Sequence, residues 1–289
     1  MNLMRIRISR RTVALATSLA AMVWLAIGAH AALNKRAFDS RFDATAAAAE
    51  QSVEAVQKPS RIALVIGNGH YPDASAPLTQ PINDARGLTA ALRHDGFEVD
   101  VVEDASRDDM IRAVARLKSR VRPDSVVMLF FGGYGIQVGR ESYMIPVDAT
   151  IWRESDVRRN GISIESVLEE MKEQGARAKL VVVDASRRNP YERRFRAFSH
   201  GLAPISAPAN ALILTSATPG KIADDGNGPT SVLMSELLTN LNAREATAES
   251  VFNKTRVAIS RSSDGEQVPS VSSSLSEDVR LGRSEKAGG

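Results

Sequence analysis

The segment Lys179 to Pro190, KLVVVDASRRNP, constrains this chain more than any other. Leu180 to Asp184 is a short, valine-rich apolar run that ends in an acid and meets turn residues at once. A run that is apolar at successive positions, not alternate ones, suits a strand buried on both faces of a parallel sheet. In open α/β sheets the chemistry lies just beyond the carboxyl ends of such strands. Asp184 and Ser186 therefore stand where a ligand-reading acid and a nucleophile are expected. The plainer reading is a strand end followed by a solvated basic turn.

The flanking sequence alternates in the way such a sheet requires. IALVIGN, from Ile62, reads as a first strand, followed by a loop with Gly67, Gly69, Pro72 and Pro77. The Gly67-Asn68-Gly69 turn does not suit a dinucleotide, because a proline-bearing loop follows it where phosphate capture needs a helix. A helix starts in the segment Pro81 to Arg86, with Asn83 or Asp84 as its N-cap. Leu88, Ala91 and Leu92 share its inner face, and Gly96 stops it. Phe97 to Val102 is a second strand. Arg107 to Val121 is a helix that turns Met110, Ile111, Val114 and Leu117 inward. VVMLFF, residues 126 to 131, is a third buried strand and runs into Gly132-Gly133-Tyr134-Gly135. Residues 137 to 149 suit a hairpin over Gly139. Ser163 to Gln174 is an amphipathic helix through Ile164, Val167, Leu168 and Met171. After the Lys179 segment come a strand from Ala209 to Thr215 and helices near Ser231 to Leu241 and Ala248 to Ser260. A last strand is expected within Gln267 to Leu275.

Composition closes off several classes. A net charge of +3 is too small to favour nucleic acid. The basic loop after Asp184 carries Arg187, Arg188, Arg193, Arg194 and Arg196 among Tyr191, Phe195 and Phe198. It reads as a loop packed by its aromatics, its arginines in water or paired to acids. The chain has no cysteine, which removes disulfides, zinc thiolates and any thiol nucleophile together. His30, His70, His94 and His200 lack ligand-like spacing, so neither a metal nor a cofactor is expected. Asp224 and Asp225 are the nearest approach to a calcium cluster. At the N-terminus, Arg5, Arg7, Arg10 and Arg11 precede an uncharged apolar run from Thr12 to Ala29. Residues 1–31 read as a signal peptide cleaved near Ala29-His30-Ala31, or as an uncleaved membrane anchor. Either places the domain outside the cytoplasm, in the periplasm or anchored to the inner membrane. Residues 32–58 read as an alanine-rich linker, 59–280 as the folded domain and 281–289 as a disordered tail.

Five motifs in order make a family resemblance specific: RIALVIGN, PINDARGLTAALRHDGFEV, FFGGYGIQVGRESYMIPVDA, VVVDASRRNP and TSATPGK. Residues 61 to about 242 resemble the caspase-like domain, and within it the bacterial metacaspase-like branch. The resemblance implies an α/β sandwich with a mostly parallel central sheet flanked by helices. It also implies a cysteine endopeptidase with a histidine–cysteine dyad. In the family the histidine lies in a Gly-His-Gly turn after the third strand, and the cysteine follows an Asp-Ala pair after the fourth. Tyr134 and Ser186 stand at those positions here, so both dyad members are replaced. A serine needs a positioned base, and a tyrosine near its ordinary pKa is a poor one. The expectation is a catalytically inactive homologue acting as a binding or regulatory module for a peptide or protein ligand. Asp184 matches the acid that meets an arginine or lysine side chain, Gly133 and Gly135 flank the oxyanion position, and Ser216 lines the same cleft. Asp148 reads as a structural turn acid. The alternatives are a hydrolase using Ser186 with His70 or His200 as base, and a purely structural envelope protein.

Overall fold

The computed structural model describes residues 60–72, 77–191, 201–223, 228–243 and 246–282. The expected export segment and linker, His200, the arginines and phenylalanines of 193–198, Asp224 and Asp225 lie outside the described residues. Six strands form the main sheet: β1 (Arg61–Gly67), β2 (Glu98–Glu103), β3 (Val126–Gly132), β7 (Ala178–Asp184), β8 (Ala211–Thr215) and β9 (Ser270–Ser273). Their order is β2-β1-β3-β7-β8-β9. All neighbours are parallel except the last pair, β8 and β9. A smaller antiparallel sheet joins β4 (Gly135–Val138), β5 (Glu141–Met144) and β6 (Ile162–Ser163), with the expected turn at Gly139.

The four inner strands bury both faces, and alternate residues feed two separate cores. Ala63, Val65, Met128, Phe130, Leu180, Val182, Leu212 and Leu214 pack on one side. There they meet helices α1 (Gln80–His94), α5 (Val232–Leu241) and α6 (Ala248–Ser262). Ile62, Leu64, Ile66, Val127, Leu129, Phe131, Val181 and Val183 face the other side, against α2 (Arg107–Arg120) and α4 (Ile164–Glu173). This three-layer arrangement is the expected α/β sandwich with a mostly parallel sheet. A short helix, α3 (Glu154–Asn160), has too few residues for periodicity to reveal it.

Two local expectations need correction. Helix α1 begins earlier than the Asn83 or Asp84 cap implies: Thr79 is its N-cap, and Pro81 sits in its first turn. Asp84 is inside the helix and fully buried, where its Oδ1 accepts the Ser231 N–H at 3.0 Å. Ile111 is exposed, because the inner stripe of α2 runs through Met110, Ala113, Val114 and Leu117. Leu281, beyond the last strand, is buried in the larger core. Arg61 clasps that end: Nη1 donates to the carbonyls of Leu281 (2.8 Å) and Asp95 (3.1 Å), and Nη2 to that of Arg280 (3.0 Å). Among the described residues no helix is long and apolar enough to cross a membrane.

Candidate functional site

The register of the sheet places the candidate residues side by side. Gly67, Gly132 and Asp184 are partners across β1, β3 and β7, so the strands end level. The chain reverses direction across the sheet between β1 and β3, where ligand crevices form in open α/β sheets. Tyr134 and Ser186 follow two residues beyond Gly132 and Asp184. Ser216, one residue after β8, completes the row.

The glycines at this edge answer to close packing. A Cβ on Gly133 would lie 2.6 Å from the Tyr71 Oη and 2.9 Å from the Phe131 ring. On Gly135 it would meet Leu202 Cδ2 at 2.6 Å and Ala185 Cβ at 2.9 Å. The backbone here is also fully engaged. Gly133 N–H donates to the Asp184 carbonyl (3.2 Å) and Gly135 N–H to the Ala185 carbonyl (3.1 Å). Between them, Tyr134 N–H donates to the Tyr71 hydroxyl at 3.1 Å. An oxyanion site needs donors aimed at a reacting oxygen. All three N–H groups of this turn are instead spent within the fold.

Tyr71 was not singled out by any motif, yet it organises the turn. Its ring meets that of Tyr134 edge-on at 4.8 Å between centroids, and its hydroxyl donates to the Ile145 carbonyl at 2.9 Å. Burial pushes the Tyr71 hydroxyl above its ordinary range, so it stays a protonated donor. Asn68, also buried, binds the Ala105 N–H (2.8 Å) and the Ile145 carbonyl (3.2 Å) and so ties β1 to the same loops. Asp148 accepts the Arg107 N–H at 2.8 Å and anchors the start of α2, as a structural turn acid would.

Ser186 is 1% exposed, and its Oγ has no hydrogen-bond partner among the described residues. Its N–H makes a long contact of 3.4 Å with Ser216 Oγ, and its carbonyl accepts the Ala223 N–H at 2.7 Å. The segment after β8 is therefore fastened over the serine. His70 does not serve it. That imidazole is exposed, with Nδ1 2.5 Å from Asp104 Oδ2.

Arg187, expected in water or paired to an acid, is buried beside Asp184. Its Nη1 donates to the carbonyls of Gly133 (2.9 Å) and Asp184, and Nη2 lies 3.6 Å from Asp184 Oδ2. Asp184 Oδ2 and Asp84 Oδ2 are both buried without a hydrogen bond. Burial, and then the negative charge of Asp184, push the Asp84 carboxyl up to about 7. The site thus sets Asp184 against a buried guanidinium, with Asp84 within reach of both charges, beside a serine whose Oγ meets no base among the described residues. Sequence reasoning found Asp184 and missed Asp84, whose position inside a helix face gave no sign of polarity beneath. Among the described residues no cluster of His, Asp and Glu could hold a metal ion.

A family model described as the caspase domain matches residues 60–280. The chain belongs to the caspase family. That family is one of cysteine-type peptidases, and the strand order and register above fit its domain. It is similar to the human mucosa-associated lymphoid tissue lymphoma translocation protein 1, at 28% identity over 144 residues, 50% of this chain and 17% of that protein. The mouse homologue is 29% identical over 147 residues, with the same shares. The chain thus spans about one sixth of the length of these relatives.

Proposed function

We propose that this caspase-family domain has lost peptidase chemistry and acts as a binding or regulatory module for a peptide or protein with a basic group. The observation that carries the reading is Ser186, buried, with no base on its Oγ among the described residues. A hydroxyl in that setting is not activated as a nucleophile. The engaged N–H groups at Gly133, Tyr134 and Gly135 support the same reading, because a tetrahedral intermediate would find none of them open. Retention of Asp184 beside a second buried carboxylate supports a remaining preference for cations. Of the two bases the hydrolase alternative offers, His70 is bound to Asp104, and His200 lies outside the described residues.

The test is an assay on arginine- and lysine-terminated fluorogenic peptides. The natural protein and Ser186→Ala are expected to show no turnover. Turnover by the natural protein that disappears in Ser186→Ala sinks the proposal. The combined replacement Tyr134→His with Ser186→Cys reports whether the cleft still accepts a substrate once a dyad is supplied. The basic residues 5–11 and the apolar run 12–29 support export of the domain. A fusion of residues 1–58 to a reporter active only outside the cytoplasm is expected to be active; a silent, stably made fusion refutes export.

A further inference from the structure

A second polar constellation stands over the ends of β1 and β2, and the family's dyad positions make no use of it. Asp104 directly follows β2, and its N–H donates to the Gly67 carbonyl at 2.9 Å. Its Oδ1 accepts the N–H groups of Gly69 and His70, both at 2.9 Å, and its Oδ2 meets His70 Nδ1 at 2.5 Å. The carboxylate is thus fixed at three points by the loop that leaves β1. Partial burial works against its charge, yet the bonds from His70 and Gly69 hold the carboxyl below the ordinary carboxylate range, so it is ionised at neutral pH. An anionic acceptor on Nδ1 sets the tautomer of the neutral ring: the proton sits there, and the Nε2 lone pair is available to an electrophile. The His70 side chain is 72% exposed, so that nitrogen is reached from solvent. His94 is as exposed, at 78%, but its Nδ1 lies 3.2 Å from the carboxylate of its own neighbour, Asp95. It serves as an internal reference.

What such a ring can do follows from charge. A phosphoryl group taken on Nε2 leaves the imidazole positive for as long as the adduct lasts, and a fixed carboxylate at Nδ1 stabilises that charge. A metal ion is a poorer match, because among the described residues no cluster of His, Asp and Glu could hold one. We infer that His70 is a phosphoryl-accepting histidine, positioned by Asp104, which takes the group on Nε2 from a small phosphoramidate-type donor. The Nε2 lone pair forms the new P–N bond while the P–N bond of the donor breaks and ammonia departs. The Nδ1 proton stays between the ring and Asp104. Neither Ser186 nor Tyr134 takes part, so the inference is independent of the loss of peptidase chemistry. The adduct brings a charge of roughly −2 to the residue before Tyr71, whose hydroxyl accepts the Tyr134 N–H. It is therefore placed to act as a regulatory mark on the neighbouring turn.

The test is reaction of the full chain with potassium phosphoramidate at neutral pH, with labelled histidines located by mass spectrometry and the isomer assigned by phosphorus NMR. His70 is expected to be labelled on Nε2, about tenfold faster than His94 in the same sample, and Asp104→Asn to remove that advantage. His70→Gln should leave only the slow background at the other histidines. The isomer is a readout that a merely structural role for Asp104 does not set: with Nδ1 engaged, His70 is limited to the Nε2 adduct. Where Asp104→Asn fails to unfold cooperatively, the isomer and the ratio of His70 to His94 labelling in the natural protein decide. Equal rates at His70 and His94, an Nδ1 adduct on His70, or an unchanged ratio in a folded Asp104→Asn overturns the inference.

Discussion

Asp84 carries the clearest consequence at the scale of a single residue. Its carboxyl, pushed from an ordinary 3.8 up to about 7, holds a proton in the folded state that the unfolded chain gives up sooner. Below the ordinary value both states are protonated and stability is at its full level. As pH rises towards about 7 the folded state retains a proton the unfolded state has lost, so stability falls, and above that value the loss is complete. The slope in that window approaches about 1.4 kcal/mol per pH unit. Denaturant unfolding at pH 5 and pH 8 should show this loss in the natural protein and a flatter response in Asp84→Asn. Equal slopes would mean that Asp84 is charged throughout. Gly133 offers an independent check on the Tyr134 turn. Gly133→Ala drives a methyl against the Tyr71 hydroxyl and should cost about 1–3 kcal/mol. In a double-mutant cycle Tyr71→Phe should recover part of that cost, because it removes the clashing oxygen. Strict additivity would show that the clash lies elsewhere.

Among the elements, α2 shows how far local sequence determines structure. Ser106 caps it through the Asp109 N–H at 3.2 Å, and Asp109 returns a bond to the Ser106 N–H at 3.3 Å. Ser106→Ala should therefore cost about 1 kcal/mol, measurable by chemical unfolding; no change would mean that packing alone holds the first turn. The buried strands β3 and β7 were legible because uninterrupted apolar runs of that length have little alternative to a sheet interior. Helix α4 was legible because Ile164, Val167, Leu168 and Met171 repeat at helical spacing and all are buried. The cap of α1 was misread for a physical reason: Asn and Asp are good caps anywhere, and only the packing of α5 takes Asp84 inward. Ile111 follows the same logic, since neighbours decide which flank of an apolar stripe is covered. The site was half legible. Asp184 and Ser186 follow from a strand end, but burial of Arg187 depends on carbonyls at the ends of two strands far apart in sequence.

For the whole molecule, the pairing of β1 with β3 and of β3 with β7 joins segments separated by long crossovers. Such non-local contacts favour slow folding, on the scale of roughly milliseconds to seconds. The two cores on either face make stability a shared property of helices that never meet across the sheet. Leu281 belongs to one of these cores although it stands near the end of the chain. Leu281→Ala should cost about 2–5 kcal/mol in a urea titration. A cost near zero would mean that the domain is complete without it. The Arg61 clasp extends this dependence back to the opening strand. A nascent chain emerging from the ribosome presents β1 first, and domains generally fold as units during synthesis. Here the carbonyls of Arg280 and Leu281 that complete Arg61 are synthesised 219 and 220 residues after it. The opening strand must wait for two of its three carbonyl partners until translation has produced the residues that carry them.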